Sequence, residues 1–571
     1  MRTMQILFLS LATLWGCAST SETKEEVPVV NKGKQTIYNG SFVTQDENMP
    51  QARALLVDDE SGTILEVFEK RVVRSELVPV HHPIVDLDAA LIVPGLHDAH
   101  AHIEGVGKAL EQVDLRGCTS PQEIRERISL FLERHPDVAS VQGRGWDQSL
   151  FPGLAFPTAS ILDGLSDKFI LVRRVDGHAA LANHVLLDAM GLTKESPEVD
   201  GGRFLRDESG IPTGVLVDNA MDAAFKELPP PSVSDHKRWL LLGMKEAQKF
   251  GLTAVHDMGM GLETFAALKE LDSEQELPVR VFVYLYGEEK GALKAVLDEE
   301  DGRRYQMLGL KFLMDGAMGS RGAALLAPYD DEPGTQGLLT ADEEKLKATL
   351  VALDAANKQL AVHAIGDQAN RLLLDVIESA QPKSSNVRHR VEHAQLVHAD
   401  DFARFQKLKV IASMQPTHAT SDMRWVFRRV GEERAKGAYA WRTMLDHHVP
   451  LAFGSDAPVE SIDVRKGLFA ATTRQNASGD PPGGWMAQQT LSATEALAAF
   501  STGGAYAAHQ EKTLGRFVKG AFFDATLFAE DVREDPKKWL DVKINGTFVG
   551  GRYQQYPHPI PLAKTNAAES K

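Results

Sequence analysis

Two histidines at the end of an apolar stretch are the first residues whose chemistry needs an explanation. The segment LIVPGLHDAHAH, residues 91–102, places His100 and His102 two positions apart, shortly after Pro94 and Gly95. Alternate side chains of a strand share one face, so the two imidazoles point the same way. Such a pair can share a metal ion at about 2.0–2.1 Å each. Because isolated His-x-His pairs are also common without a metal, the rest of the chain has to decide between the two interpretations.

Four more polar residues stand late in other apolar, strand-like runs. They are Lys311 in LGLKFLMD, His363 in LAVHAIG, His393 at the end of VRHRVEH and Asp456 in FGSDAP. Each has an ordinary explanation alone, as a packed histidine, a solvated lysine or a turn. In a parallel barrel, however, the ends of the strands meet at one mouth. The shared position of these residues therefore predicts a common site.

The middle of the chain alternates eight strand-like runs with helical patterns. The strand candidates are residues 96–102, 252–257, 278–285, 308–315, 360–366, 387–393, 409–416 and 449–458. Near-continuously apolar strands with helices between them are typical of a covered parallel sheet. We therefore predict an α/β fold, a (β/α)8 TIM-like barrel. A doubly wound sheet would also alternate, but no GxGxxG motif follows an early strand.

Short β-rich segments flank this predicted barrel. Runs such as TIYNGSFVT and FFDATLFAED predict a small β-sandwich built from both termini, residues 35–94 with 515–555, and the barrel then covers 95–514. About 150 residues separate the first two barrel strands, far more than a βα loop holds. We expect them to form a large insertion at about 105–245 that folds over one mouth of the barrel.

The N-terminus predicts export. The segment MRTMQILFLSLATLWGC has one arginine and an apolar run too short to span a bilayer comfortably. It resembles a bacterial lipoprotein signal, in which residues 1–16 are removed, Cys17 is acylated and residues 17–34 form a flexible tether. Ala18, rather than Asp, favours the periplasmic side of the outer membrane by resemblance to known sorting rules. An ordinary secretory signal, or a soluble protein with an apolar start, is the alternative.

Composition excludes some classes of function. The formal charge of −17 and the absence of a basic patch argue against a nucleic-acid partner. The chain has two cysteines. If Cys17 carries lipid, Cys118 has no partner for an intramolecular disulfide, and we expect it to be a packed apolar residue.

Several motifs together resemble the amidohydrolase superfamily, and in particular its amidohydrolase-3 branch, which includes N-substituted formamide deformylase-like proteins. The motifs are PGLHDAHAH, GWDQS, VRRVDGHAALAN, LKFLMDGAMGSRGAAL, HAIGDQAN, RVEHAQL and ASMQPTHATSD. The similarity covers roughly residues 35–553. One departure is the run KGAFFDATLF, which stands where the family commonly has Gly-Lys-x-Ala-Asp and keeps Asp524 without the usual preceding alanine, but it lies outside the predicted site.

The donor set of this site suits a divalent metal. The predicted ligands are His100, His102, His363, His393 and Asp456, and their nitrogen and oxygen donors favour zinc over manganese or iron. A bound zinc ion lowers the pKa of water from 15.7 to about 7, and Asp456 would take the proton of that water as a general base. The expected reaction is hydrolysis of a non-peptide C–N bond in an amide, a formamide or a cyclic amide.

Lys311 is predicted to help hold the metal in modified form. A charged ammonium has no lone pair, but a buried lysine beside cations has a depressed pKa and can add CO₂. The resulting carbamate could bridge two metals about 3.5–4 Å apart. The resemblance implies the same, since related proteins with a lysine on the fourth strand commonly carry this modification. A site with one metal and an unmodified Lys311 is the alternative.

Four further residues are candidates for contact with the substrate. His178, in VDGHAAL of the insertion, could hold the carbonyl oxygen as an electrophile, although a structural role is equally consistent with its Gly-flanked turn. Trp146, Trp425 and Arg321 are candidate pocket-lining groups, with core packing as the ordinary explanation of the two tryptophans.

Two other functions stay open from sequence. A catalytically inactive barrel could serve as a ligand-binding lipoprotein, although a binding role would not need Asp456. A metal-dependent phosphoesterase would favour more carboxylate ligands and a Gly-rich phosphate loop, which the sequence lacks. The expected partner is a small-molecule substrate, with membrane contact only through the N-terminal lipid. The identity of the substrate, the number of metals and any homo-oligomer stay open.

Overall fold

The computed structural model describes residues 34–73, 82–136, 138–175, 178–199, 201–382 and 387–555. Its strands, in chain order, are β1 (Gln35–Val43), β2 (Gln51–Asp58), β3 (Ile64–Phe68), β4 (Ile84–Asp86), β5 (Leu91–Pro94), β6 (Leu96–Ala101), β7 (Val113–Asp114), β8 (Ser140–Trp146), β9 (Phe169–Arg174), β10 (Ala179–Ala182), β11 (Gly202–Arg206), β12 (Pro212–Asp218), β13 (Leu252–Met260), β14 (Arg280–Tyr286), β15 (Tyr305–Leu313), β16 (Gln359–Ala364), β17 (Arg390–His393), β18 (Ile411–Met414), β19 (Leu451–Phe453), β20 (Ala525–Phe528), β21 (Ile544–Val549) and β22 (Arg552–Gln555).

The α-helices lie mostly between these strands. They are α1 (Ile103–Leu110), α2 (Pro121–Arg134), α3 (His184–Ala189), α4 (Ala220–Glu227), α5 (Val233–Lys249), α6 (Leu262–Ser273), α7 (Ala292–Asp298), α8 (Glu343–Ala355), α9 (Asp367–Ala380), α10 (Phe402–Lys407), α11 (Pro416–Asp422), α12 (Val426–Ala435), α13 (Trp441–Asp446), α14 (Val464–Thr473), α15 (Ala493–Phe500) and α16 (Thr502–Ala507).

Eight parallel strands form the predicted barrel. Strand β6 pairs with β13, and β13 to β19 follow one another in chain order around the sheet. The ring closes where Ala101, at the end of β6, forms a parallel bridge with Ala457 beyond β19. The backbone N–H of His102 also donates to the Ala457 carbonyl at 2.8 Å. All eight predicted strands are present, so the TIM-like barrel is confirmed and the doubly wound alternative is wrong.

The two ends of the chain build one additional sheet, as predicted. Strands β1 to β5 belong to this sheet, in which β5 pairs with β20, and β21 and β22 follow β20. The sheet folds back so that Tyr38 of β1 packs edge-on against Phe548 of β21, with ring centroids 5.3 Å apart. Phe42 packs in the same way against Phe517 at 5.4 Å. These aromatic side chains pack the N-terminal and C-terminal parts of the sheet against each other.

The insertion after β6 has its own six-stranded sheet. The strand order is β11-β12-β10-β9-β8-β7, and the strands fall between residues 113 and 218. Helix α5 begins at a capping box formed by Ser232 and Asp235 and leads directly into β13. Because α5 is the barrel helix that precedes the second barrel strand, the insertion ends before it, whereas the predicted span of about 105–245 includes most of α5.

The predicted export signal and tether fall outside the described residues, apart from residue 34. Within the described part of the chain, no helix is both long and apolar enough to cross a membrane. Cys118 is buried in the core of the insertion sheet, where burial raises the pKa of its thiol to about 11. Its packing agrees with the expectation that it is an apolar core residue.

Candidate metal centre

The carboxyl ends of the barrel strands collect the polar residues that the sequence singled out. They enclose one cavity of about 510 Å³ at this mouth. The predicted residues that line it are His100, His102, Lys311, His363, His393 and Asp456. Barrel enzymes place their chemistry at this end of the strands, because loops there can vary without disturbing the packed core.

The two histidines of the first strand both face Asp456. Their Nε2 atoms lie 3.4 Å (His100) and 3.2 Å (His102) from Oδ1 of the aspartate. On its other side, His100 Nδ1 lies 2.7 Å from Oε2 of Glu392, which fixes the orientation of the ring. In the described part of the chain, His100 Nε2 is buried and has no hydrogen-bond partner. Both histidines therefore point Nε2 at the same carboxylate. The ring of His100 is buried and oriented by Glu392, whereas the ring of His102 is partly exposed.

Asp456 is held in an uncommon backbone conformation. Its φ is 61°, in the left-handed region, and its N–H donates to the His100 carbonyl at 2.6 Å. Such strain in a residue other than glycine persists only where the surroundings enforce it, and it is typical of functional sites. Burial alone would raise the pKa of Asp456, but the nearby imidazoles, that of His100 first, hold it well below the usual range. The carboxylate is therefore ionised at neutral pH.

His363 and His393 complete the predicted set from the fifth and sixth strands. Their ring centroids are 4.5 Å apart, and His393 Nδ1 lies 2.8 Å from Oε1 of Gln415. His393 also has a positive φ, 74°. Nε2 of His363 is buried without a hydrogen bond, 3.5 Å from Oδ1 of Asp315. Both residues line the cavity, and the contact with Gln415 orients the ring of His393.

Burial keeps these imidazoles in the form that binds a cation. It lowers the pKa of His100 to about 4 and that of His363 to about 3, and it holds the pKa of His393 well below its usual value. Neutral imidazole is the state that ligates a metal, since a protonated ring has no free lone pair. The site is accordingly set for metal binding at neutral pH.

Lys311 lies beside these groups with 4% of its surface exposed. Burial lowers the pKa of its ammonium, against the opposing effect of Glu392 and Asp456. No hydrogen bond joins its Nζ to another residue in the described ranges. A buried amine of lowered pKa is the form required for carbamate formation, and that modification stays a prediction.

His418 belongs to the site although sequence reasoning did not select it. It lies on α11, and its Nε2 is 3.6 Å from Oδ2 of Asp456. Its ring is stacked on that of His393, with centroids 6.0 Å apart and an interplanar angle of 10°. The sequence could have identified it, because the segment QPTHATSD directly follows the seventh barrel strand and places His418 at the same mouth.

The donor set fits a divalent cation. Two groups of side chains have ligand atoms within 4.8 Å of one another, His100 with His102 and Asp456, and His393 with His418 and Asp456. In the described residues, Nε2 of His100 in the first group and Nε2 of His418 in the second are buried without a hydrogen-bond partner. Unsatisfied buried polar atoms are costly, and a cation in their midst would satisfy them.

A fully buried ion pair supports the centre from within the barrel. Arg390 donates to Glu392 at 2.8 Å through Nε and at 3.2 Å through Nη2. It also donates to the Ala99 carbonyl at 2.6 Å and to Ser413 Oγ at 2.9 Å. Burial raises the pKa of Glu392, but Arg390 and then His100 outweigh it, and the pKa falls to about 2. The ionised Glu392 can therefore hold His100 by its Nδ1–H.

The outer wall of the cavity is mainly apolar. Among the described residues, Lys311 is the one lysine or arginine of the lining, and the acidic residues besides Asp456 are Asp422 and Glu460. The apolar side chains are Met258, Tyr286, Leu313, Met318, Ile365, Trp425 and Val459. Of these, Tyr286, Leu313 and Val459 are exposed at the mouth. Such a wall favours an uncharged, apolar group next to the polar centre.

The predicted substrate contacts occupy different places. Trp425 lines the cavity. Trp146 is fully buried in the insertion, where its indole N–H donates to the Val172 carbonyl at 2.7 Å. Arg321 is bound to Asp331 by two contacts of 3.1 Å. His178 is exposed on the insertion sheet, with Nδ1 2.9 Å from Asp218 Oδ1. Trp146, Arg321 and His178 are not among the cavity-lining residues.

The chain is similar to a family of known proteins over most of its length. The model of the amidohydrolase family, in its amidohydrolase-3 branch, matches residues 83–553. YtcJ of Bacillus subtilis, named as an amidohydrolase, is 29% identical over 527 residues, covering 91% of this chain and 99% of its own. The N-substituted formamide deformylase of Arthrobacter pascens is 25% identical over 548 residues, covering 91% and 98%. A solved structure, an uncharacterized metal-dependent hydrolase from Pyrococcus furiosus, has a TM-score of 0.74 at 30% identity, covering 88% of this chain and 100% of its own.

Proposed function

The chain belongs to the amidohydrolase family and is a metal-dependent hydrolase, and on this premise we propose that it cleaves a non-peptide C–N bond in an amide, a formamide or a cyclic amide. The observation that carries the proposal is the convergence of four histidines, His100, His102, His393 and His418, on the ionised Asp456 at the barrel mouth. A binding protein would have no use for an ionised carboxylate held in a strained backbone beside the ligands.

The residues that would hold the metal are those with free or accessible nitrogen atoms around Asp456. They are His100, His102, His393, His418 and, through its carboxylate, Asp456. His363 lines the same cavity, and we keep it as a proposed ligand from the fifth strand. This nitrogen-rich set favours zinc, in one or two ions. When bound, such an ion polarises a carbonyl group and makes water a stronger acid.

Asp456 is the residue we assign to proton transfer. Its Oδ1 accepts the proton of the attacking water as the oxygen adds to the carbonyl carbon. When the C–N bond breaks, the same oxygen returns that proton to the leaving nitrogen, so the products are a carboxylic acid and an amine. The backbone hydrogen bond to His100 keeps the carboxylate within reach of the attacking water and of the leaving nitrogen.

The cavity wall supports a substrate with an apolar nitrogen substituent. Trp425, Met258 and Leu313 offer contact to an uncharged group, while Asp422 and Glu460 would repel a carboxylate. The likeness to an N-substituted formamide deformylase supports a formamide within this class. N-acylated amino acids, which carry a free carboxylate, are therefore expected to be poorer substrates.

Amine release from a panel of N-formyl and N-acyl compounds tests the proposal. The panel pairs apolar nitrogen substituents with carboxylate-bearing ones of similar size. Asp456→Asn keeps the shape of the side chain but removes the base, so turnover should fall by about 10²–10⁴-fold. Asp188→Asn, at an exposed position on α3, is the matched control and should behave as the wild type.

Two results would contradict the proposal. Near-normal turnover by Asp456→Asn would remove the role assigned to that residue. Failure of the metal-loaded wild type to release amine from any member of the panel would remove the assignment to C–N bonds.

A further inference from the structure

A second cavity lies between the insertion sheet and the barrel helices α1 and α5. Its volume is about 500 Å³, within the usual range for small-molecule sites. Its walls come from β8 and β9, from α1 and α5, and from the segment between α4 and α5. In the part of the chain that the structure describes, no residue lines both this cavity and the one at the barrel mouth. Nothing in the proposed reaction uses it.

Two arginines lie side by side on the sheet wall of this cavity. Arg144 of β8 and Arg173 of β9 are directly opposite in the register of the two parallel strands. The two like charges repel each other, and burial, followed by the charge of Arg144, lowers the pKa of Arg173. In the described residues neither guanidinium forms an ion pair with a carboxylate. Arg144 donates to the Val175 carbonyl at 3.1 Å, and Arg173 lies 4.5 Å above the ring of Phe225.

The two acidic groups of the cavity are already paired with Arg238 and Trp239, on the helix side of the lining. Glu111 accepts from Arg238 at 2.7 and 3.1 Å and from the indole N–H of Trp239 at 2.7 Å. Asp235 accepts from the same Arg238 at 2.7 Å. Lys108, the remaining cation, lies 5.3 Å from the centre of the Trp239 ring. The wall therefore has an excess of positive charge around Arg144 and Arg173.

The remaining lining is apolar and partly aromatic. Phe225 and Trp239 stand on the wall, and the run from Leu228 to Pro231 adds one leucine and three prolines. Prolines and aromatic rings offer rigid apolar surface at little entropic cost. A ligand that matches this cavity has one anionic end and a flat apolar body.

We propose that this cavity is a binding site for a small organic anion, a carboxylate on an aromatic or similarly flat apolar body. The carboxylate lies at Arg144 and Arg173, whose forked guanidinium groups suit a planar anion. The body lies against Phe225, Trp239 and the prolines. The occupant removes the repulsion between the two arginines, so binding and the local stability of the β8–β9 pair are coupled.

Isothermal titration of the full-length protein with three probes tests this site. Benzoate carries both features, benzamide keeps the ring without the charge, and inorganic phosphate keeps the charge without the ring. We expect saturable benzoate binding that weakens with added salt. Arg144→Gln and Arg173→Gln should each weaken it about tenfold or more, since each removes a charged hydrogen-bond donor. Arg203→Gln, at the exposed position of β11 in the same sheet, is the matched control and should leave benzoate binding unchanged.

Further comparisons separate this site from the catalytic cavity and from a simple ion site. Equal benzoate affinity in Asp456→Asn and in the wild type supports the proposal. Benzoate binding that is lost in Asp456→Asn but kept in Arg173→Gln overturns it. Phosphate binding equal to or tighter than that of benzoate would show an inorganic-anion site and contradict the apolar body. Benzamide binding as tight as benzoate, or no benzoate binding at all, would also overturn it.

Discussion

Replacing Glu392 by Gln tests how the buried ion pair supports the metal centre. The substitution keeps the size of the side chain but removes the carboxylate that lies 2.7 Å from His100 Nδ1 and pairs with Arg390. Both members of the pair are fully buried, each with no exposed side-chain surface. The change should therefore affect two measurable quantities, the stability of the fold and the affinity for metal.

The stability change can be worked out in two ways. Removing one partner of a buried ion pair costs about 3–5 kcal/mol. The pKa of Glu392, about 2 against 4.5, gives about 3 kcal/mol at neutral pH by linkage. An unfolding entropy of about 2.1 cal/mol/K per residue over 571 residues is about 1.2 kcal/mol/K. The variant should therefore melt about 2.5–4 °C below the wild type.

The pH dependence of this difference follows from the direction of the pKa. Because the folded pKa of Glu392 lies below the ordinary value, the ionised carboxylate stabilises the fold fully above about pH 4.5. That contribution is lost as the pH falls toward 2, where the folded state also takes up the proton. The gap in Tm between the wild type and Glu392→Gln should thus be constant near neutrality and should narrow below pH 4.5.

Calorimetry of chelator-treated protein and zinc competition titrations are the assays. Loss of the group that orients a ligating histidine typically costs 10–100-fold in metal affinity, and we expect a drop of about this size. Glu511→Gln is the matched control, because Glu511 pairs with Arg388 in a similar geometry, at 2.9 and 3.1 Å, but is 33% exposed and far in sequence from the ligands. A variant with unchanged zinc affinity and Tm, or a control that loses as much of both, would refute the reasoning.

Two further predictions concern the lipid anchor and the lysine. We propose that Cys17 is acylated and anchors the exported protein to the outer membrane; Cys17→Ser should then abolish labelling by a fatty-acid probe and release the protein, and unchanged labelling would disprove the anchor. With bicarbonate present, native mass spectrometry should show carboxylated Lys311 and about two metals per chain. Lys311→Ala should lose the second metal and most activity, with partial rescue by a short carboxylic acid, while Lys245→Ala, exposed on α5, should not. One metal per chain with an unmodified Lys311 would decide against the carbamate.

The barrel could be predicted because each of its strands can be recognised from a few consecutive residues. Each is a short apolar run bounded by polar or glycine-containing segments, and in β6 and β13 every residue is buried. The first-strand histidines were identifiable because alternation in a strand fixes which side chains share a face. Asp456 and Lys311 were identifiable from their position at strand ends, which the barrel brings together.

Other parts of the site depend on contacts that sequence order conceals. Glu392 and His100 are 292 positions apart, and only the closed barrel puts them side by side. His418 lies on a helix after its strand, so a search restricted to strand ends passes over it. Trp146 and His178 belong to an insertion whose strand order mixes parallel and antiparallel pairs, which local patterns do not specify. The structure consequently places both away from the catalytic cavity.

A zinc titration of amine release tests the central claim most directly. The wild type is stripped of metal with a chelator, and zinc is added back in steps while release from the best N-formyl or N-acyl compound of the panel is measured. A hydrolase whose metal is held by the histidines around Asp456 should be inactive when stripped, and its rate should rise in proportion to zinc and level off at one or two ions per chain. His100→Ala should need far more zinc to reach any rate. Full activity in the stripped enzyme, or a zinc response that His100→Ala shares with the wild type, would contradict the account.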